Sequence, residues 1–134
     1  MDANNVDLEK AKYVSLVTFR KSGTAVATPV WAAFQDGGYY VFSAGNAGKV
    51  KRLKNSSQAR LAVCGARGEL KGPWYDARAE ILDAPEDIER ALGALRHKYG
   101  FSMWVADVLS RISGRMNRRV YLRVQLNSLD SDRL

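Results

Sequence analysis

Six short segments of this chain carry the composition and alternation of β-strands, and turns or helical stretches separate them. The segments are Tyr13–Arg20, Ala25–Phe34, Tyr39–Ala44, Gln58–Ala66, Trp74–Leu82 and Arg119–Leu126. Alternation is clearest in the last two segments, which predicts strands with one buried and one solvated face. Short antiparallel strands have edges that must be paired or protected. The pattern therefore favours a six-stranded barrel, closed or partly closed.

Helical patterns flank the strands, and two of the four lie in the second half of the chain. The predicted helices are 7–12, 46–55, 85–99 and 103–112. Asn46 and Ser102 are suited to N-cap positions, Pro85 to a first helical position, and Gly100 to a helix end. A chain of this length has room for one core. We therefore expect a single β-rich α+β domain over residues 1–134.

Charge and composition narrow the chemistry. The formal net charge of +7 favours polyanionic partners such as phosphorylated coenzymes or nucleic acid. One cysteine, Cys64, excludes an intrachain disulfide, and one histidine, His97, leaves too few soft ligands for a zinc site. The chain has no leader pattern at its start and no apolar run near the length of a membrane span. A cytoplasmic protein without a metal and without stable membrane insertion is expected.

Two segments, 49–60 and 111–123, concentrate positive charge and contain no carboxylate. In the first, Lys49 and Arg52 are three residues apart and would project from one helix face. An ammonium and a planar guanidinium can meet the same phosphate. Ser43 ends the preceding strand and can donate from its hydroxyl, while the helix start adds positive potential. The segment thus fits an anion site, although charge alone leaves a solvated basic helix equally open.

Pro29 interrupts the segment Ala25–Phe34, whose two faces are both largely apolar and are expected to be covered. Proline cannot donate to a strand ladder and is confined to edges and bulges. One interpretation is an edge-strand proline, with Trp31 in the core or a dimer interface, and the residues alone favour it. The other is a planar ligand ring beside Val30 and Trp31 that takes hydrogen bonds from freed backbone groups.

Five motifs together suggest a family: Tyr13–Arg20, Ala27–Trp31, Gly48–Asn55, Arg67-Gly68 and Gly72-Pro73. They resemble the pyridoxamine-phosphate-oxidase-like superfamily, and more narrowly its small deazaflavin-dependent branch, whose members use coenzyme F420. The resemblance extends from about Tyr13 to Leu126. It implies a flavin-binding split β-barrel and a homodimer with coenzyme sites in the grooves between subunits. It also implies hydride transfer to a small unsaturated or conjugated substrate.

The resemblance further implies roles for individual residues. Those assigned to the coenzyme phosphate are Ser43, Lys49, Lys51, Arg52 and Asn55. Those assigned to the deazaflavin ring, through backbone contacts, are Pro29, Val30 and Trp31. No catalytic base is identified, although Tyr75 and Arg78 could face the groove.

The alternative coenzyme is FMN, in a reductase or oxidase of the same fold. FMN-using oxidases of the superfamily typically carry an arginine in the strand that matches Ala27–Val30, and this chain has none there. F420 is therefore favoured. Two further alternatives are a protein that sequesters a tetrapyrrole or coenzyme, and a single-stranded nucleic-acid binder. Nucleic acid is not expected, because stacking binders interleave aromatics with basic residues and the segment 49–60 contains no aromatic.

The segment 101–119 is apolar first and basic afterwards. Such a pattern fits a helix that lies on a membrane surface, or a lid or dimer contact beside the coenzyme. The lid or dimer contact is favoured, because the strand that follows returns directly to the barrel.

Overall fold

Seven antiparallel strands form one curled sheet in the computed structural model, which describes residues 7–45, 47–114 and 119–127. The strands are β1 Tyr13–Phe19, β2 Ala25–Val30, β3 Ala32–Gln35, β4 Gly38–Ala44, β5 Gln58–Cys64, β6 Tyr75–Leu82 and β7 Arg119–Leu126. The helices are α1, described over residues 7–10, α2 Gly48–Asn55, α3 Pro85–Tyr99 and α4 Phe101–Ser113. The predicted β-rich α+β split barrel is confirmed.

The sheet curls because its two end strands are consecutive in the chain. The strand order is β2-β1-β5-β6-β7-β4-β3, so β2 and β3 lie at opposite ends and only Trp31 separates them in sequence. The prediction of six strands is therefore wrong by one, since the segment Ala25–Phe34 forms two strands.

Trp31 leaves the ladder because its ring stacks on Tyr99, with centroids 4.7 Å apart and an interplanar angle of 11°. The next residue, Ala32, donates its backbone N–H to the Tyr99 hydroxyl over 2.9 Å.

The outer face of β2 is open to solvent. Ala25, Ala27 and Pro29 are exposed, and the residues between them are only half-buried. The expectation that both faces of this segment are covered is wrong for β2. Alanine is small enough to be tolerated on either side of a strand, so an apolar pattern built from alanines does not report burial.

Two apolar clusters hold the chain together. The first fills the barrel and includes Val14, Leu16 and Leu122, each with no exposed surface. The second lies outside the barrel, where α3 packs against β3, β4 and β7. It includes Leu95 of α3 and Met103 of α4. Burying one such side chain stabilises the fold by about 1.5–3 kcal/mol. The two clusters fix the strands from both sides.

Helices α3 and α4 are joined by one residue. α3 begins at Pro85 and ends before Gly100, as predicted, and α4 follows directly. Gly100 has a φ of 49° and occupies the N-cap of α4, so the prediction that Ser102 caps this helix is wrong. Within the described ranges, no helix combines the length and the apolar character needed to cross a membrane.

Candidate functional site

Helix α2 presents a row of cations on a small amphipathic element. Val50 and Leu53 are buried and anchor the helix on the barrel. The outward side chains are basic: Lys51 and Lys54 are exposed, while Lys49 and Arg52 are half-buried. None of the ion pairs formed in the described part of the chain involves a cation of α2. The helix begins after Ala47, and the predicted cap Asn46 lies outside the described residues.

Among the described residues, the Arg52 guanidinium is held by a hydrogen bond on one side only. Its Nε donates a hydrogen bond of 2.6 Å to the hydroxyl of Thr18, which is completely buried at the end of β1. Burial lowers the pKa of Arg52, and the nearby charge of Arg20 lowers it further. The guanidinium is thus partly dehydrated and lies near a second cation. Because the bond to Thr18 uses Nε, the two terminal nitrogens are positioned to meet an acceptor.

Gly48 makes room for this arrangement. A Cβ atom at Gly48 would lie 2.7 Å from Nη1 of Arg52, which is too close for any real contact. The guanidinium therefore folds back over the first turn of α2. The N-terminal turn of a helix carries positive partial charge. The positive potential of the helix N-terminus and the charge of Arg52 therefore lie at the same corner of the molecule, at the start of α2.

Lys49 adds a second cation at the same corner. Burial lowers the pKa of Lys49, and the charge of Arg52 lowers it further. Partly desolvated cations that lie near one another are stabilised when an anion comes between them. A phosphate is suited to the position, since guanidinium and ammonium groups donate charge-assisted hydrogen bonds to its oxygens.

In the chain, Ser43 precedes this pair and Asn55 follows it. Ser43 is buried near the end of β4, and its hydroxyl donates to the carbonyl of Ala44 over 3.3 Å. Asn55 is exposed at the last turn of α2, and its side-chain amide donates to the carbonyl of Lys51 over 3.4 Å. Asn55 and Arg20 also line a surface pocket of 490 Å³. The structure therefore brings Lys49 and Arg52 together, with Ser43 before the helix and Asn55 at its end.

Pro29, Val30 and Trp31 lie at the far end of β2 from the cations. In the β1–β2 register, Thr18 faces Val26 and Val14 faces Val30. Four residues of strand separate the two positions, which is about 13 Å. A single ligand with a phosphate arm and a flat ring could span that length.

Pro29, Val30 and Trp31 differ in the groups that they can present to a ligand. Pro29 is exposed, whereas Val30 is buried in the barrel core. The Trp31 ring is packed between Tyr99 and Phe42, the second contact being edge-on with centroids 6.1 Å apart. Trp31 can therefore contribute backbone groups to a ligand but not the face of its ring.

Two residues of the corner were missed by the sequence analysis. Thr18 and Arg20 belong to a segment interpreted only as a strand, yet one orients Arg52 and the other perturbs it. Thr18 shares its strand face with Val14 and Leu16, which point into the core. A hydroxyl at an inward position near a strand end signals a buried polar partner. That signal was present in the sequence.

Tyr75 and Arg78 do not face one groove. They lie on opposite faces of β6, with Arg78 exposed and Tyr75 packed against the barrel cluster. The Tyr75 hydroxyl is buried and has no hydrogen-bond partner among the described residues. Packing against the barrel cluster explains the position of the ring but not the unpaired hydroxyl.

Comparisons with known proteins agree on the fold. Residues 2–129 match the family described as pyridoxamine 5′-phosphate oxidase. No functionally curated protein matches the sequence. Among solved structures, a conserved hypothetical protein from Mycobacterium tuberculosis is 20% identical, with a TM-score of 0.68 over 94% of this chain and 83% of that one.

Two further solved structures have named roles. The haem storage protein HutZ from Vibrio cholerae is 16% identical, with a TM-score of 0.69 over 95% of this chain and 89% of that one. An F420 reductase is also 16% identical, with a TM-score of 0.59 over 92% of this chain and 93% of that one. At these identities the likeness establishes the fold.

Proposed function

The chain belongs to the pyridoxamine 5′-phosphate oxidase family, and we propose that within it this protein is a homodimeric reductase that uses coenzyme F420. Lys49 and Arg52 would hold the phosphate of the coenzyme, with Ser43, Lys51 and Asn55 around them. When bound, the coenzyme supplies hydride transfer to a small conjugated substrate.

The observation that carries this proposal is the state of Arg52. Its Nε is fixed by the buried Thr18 hydroxyl, its charge is partly desolvated beside Arg20, and no carboxylate of the described residues pairs with it. A cation that served only solubility would extend into water, where it loses no hydration. Arg52 is instead pre-positioned, which lowers the entropic cost of binding an anion.

The chain's own residues also suit the flat part of such a coenzyme. Pro29 removes one N–H from the ladder of β2, and the outer side of that strand presents Ala25, Ala27 and Pro29 with no charge. We assign the backbone of Pro29, Val30 and Trp31 to the ring. A second subunit over the same open strand would exclude water from the groove and strengthen the polar contacts within it.

F420 is preferred to FMN because β2 carries no arginine, which the FMN-using oxidases of the superfamily typically have in the matching strand. FMN is the direct competitor, so the two coenzymes are compared in one experiment.

The experiment is a fluorescence titration of the purified protein with F420 and, separately, with FMN. We expect F420 to bind in the micromolar range, on the order of −8 kcal/mol, and FMN to bind more weakly. Removing either charge, by Lys49→Ala or Arg52→Ala, should weaken F420 binding by about 1 to 3 kcal/mol. The matched control is Lys54→Ala, which removes the same charge from an exposed position of α2.

Each result of the titration tests a different part of the proposal. Parent-like binding by both Lys49→Ala and Arg52→Ala would disprove the phosphate assignment. Tighter binding of FMN than of F420 would mean that the coenzyme of this protein is FMN. Equal losses in Lys54→Ala and in the two site variants would show that only net charge matters.

A further inference from the structure

Helix α4 turns its apolar side to solvent. Phe101, Trp104, Leu109 and Ile112 are 76%, 60%, 61% and 78% exposed. Most of the large apolar side chains that are exposed in the described part of the chain lie on this one helix. Contiguous exposed apolar surface of this kind marks an interaction site.

The distribution of residues around α4 is the reverse of that in an ordinary surface helix. At about 100° per residue, the six apolar side chains of the outward face fall within an arc of about 140°. They are Phe101, Trp104, Val105, Val108, Leu109 and Ile112. The buried residues Met103 and Asp107 lie on the opposite side, with the half-buried Ser110 beside them. The helix therefore docks on the protein partly through polar groups.

An ion-pair network holds α4 in this orientation. The buried carboxylate of Asp107 accepts hydrogen bonds from Arg96 of α3 over 2.9 Å and from Arg119 of β7 over 2.8 Å. Arg119 also donates to the hydroxyl of Ser110 over 2.8 Å. Rotating the helix to bury its apolar side would break these bonds and leave buried charges without partners. The outward apolar face is thus built into the fold.

The described charges at α4 are mainly basic. Arg111 is exposed on the last turn of the helix, and Arg96 and Arg119 share the single carboxylate of Asp107, which leaves an excess of positive charge. An anionic surface complements this charge. A second copy of the chain, related by a two-fold axis, would instead bring the same basic residues towards each other.

We propose that α4 binds the surface of an anionic membrane, with its apolar side in the headgroup region and its axis along the membrane plane. Thirteen residues of α-helix span about 20 Å, which is too short to cross a bilayer. Phe101 and Trp104 stack on each other with centroids 5.7 Å apart at one end of the helix, and such aromatics favour the membrane interface. The geometry favours this role over a lid or a dimer contact.

The test is flotation of the purified protein with lipid vesicles. Vesicles of phosphatidylcholine mixed with phosphatidylglycerol should carry the parent upwards, vesicles of phosphatidylcholine alone should not, and added salt should release the protein. The double variant Phe101→Gln/Ile112→Gln should lose binding by about tenfold per substituted side chain. Leu70→Gln is the matched control, because Leu70 is an exposed apolar residue outside the helices.

Both substituted side chains are largely exposed, so the double variant should fold, which circular dichroism would verify. Three results would overturn the proposal. One is the absence of flotation with the anionic vesicles, and another is equal flotation of parent and double variant. The third is a change in molar mass by light scattering in the double variant, which would identify α4 as a subunit contact.

Discussion

The Nε atom of Arg52 donates a hydrogen bond of 2.6 Å to the hydroxyl of Thr18, a side chain with no exposed surface. The bond joins a helix to the end of a strand 34 residues earlier in the chain. It fixes the direction of the guanidinium before any ligand is present.

Thr18→Val should reduce F420 affinity by about threefold to tenfold, because the isosteric valine keeps the packing but removes the acceptor for Arg52. The unfolding free energy should fall by about 1 kcal/mol in urea titrations. Thr18→Ser keeps the hydroxyl and should bind like the parent. Unchanged affinity in Thr18→Val would mean that Arg52 needs no orientation from β1.

Gly48→Ala should separate binding from stability. The added methyl group would lie 2.7 Å from Nη1 of Arg52, so the guanidinium must move and F420 affinity should fall by about tenfold. Helix propensity should leave stability equal or raise it by up to about 1 kcal/mol. Gly93→Ala in α3 is the control, because a Cβ there meets nothing within 4 Å. Parallel losses of stability and binding in Gly48→Ala would contradict this account.

Asp107→Ala should destabilise the fold by about 3–5 kcal/mol, because it leaves Arg119 buried without its partner. The Arg119 side chain is only 4% exposed. Asp76→Ala removes an exposed partner of Arg60 and should cost about 1 kcal/mol or less. Equal midpoints for the two variants in urea unfolding would refute the structural role of the network.

Lys98 should make stability depend on pH in the alkaline range. Its ammonium donates to the backbone carbonyls of Glu9, Ala11 and Ala32 over 3.1, 2.6 and 2.6 Å. Burial lowers the pKa of Lys98 from 10.5 to about 8. Between these two values the folded protein has lost a proton that the unfolded chain retains, so the contribution of Lys98 to stability rises with pH.

The measurement compares the unfolding free energy of Lys98→Met with that of the parent across the range from about pH 8 to pH 10.5. The difference, variant minus parent, should fall as the pH is raised. Lys54→Met, which changes an exposed lysine, should show no such trend. A constant difference for Lys98→Met would indicate that the folded protein keeps this ammonium charged throughout.

Removing the Tyr99 hydroxyl should weaken the junction between β2 and β3. Tyr99→Phe leaves the buried N–H of Ala32 without an acceptor, which costs about 1–3 kcal/mol. The ring remains stacked on Trp31, so tryptophan fluorescence should change little. Thermal unfolding provides the measurement, and a parent-like midpoint would show that another group accepts the Ala32 N–H.

Local sequence patterns predicted most strand positions because they depend on alternation along the chain. β6 is the clearest example, with Ala77 and Ala79 buried and Arg78 exposed between them, as the pattern requires. The helix start at Pro85 and its end at Gly100 depend on equally local chemistry. These features needed no knowledge of the rest of the chain.

The break at Trp31 could not be predicted in the same way. It depends on stacking with Tyr99 and on a hydrogen bond between residues that are 67 positions apart. The same limit applies to the candidate site. The spacing of Lys49 and Arg52 was visible in the sequence, whereas the pairing of the inward Thr18 hydroxyl with Arg52 follows only from the contact between β1 and α2.

The position of β7 has a consequence for how the protein is made. β7 contains the last residues of the sheet to be synthesised, yet it lies between β6 and β4. A ribosome that has translated only as far as α4 has produced two groups of strands, β2-β1-β5-β6 and β4-β3, with no ladder between them. The facing edges of β6 and β4 stay unpaired until residues 119–126 leave the exit tunnel. Unpaired edges of this kind can pair with other chains, so a nascent chain stalled before β7 is expected to aggregate more readily than the completed sheet.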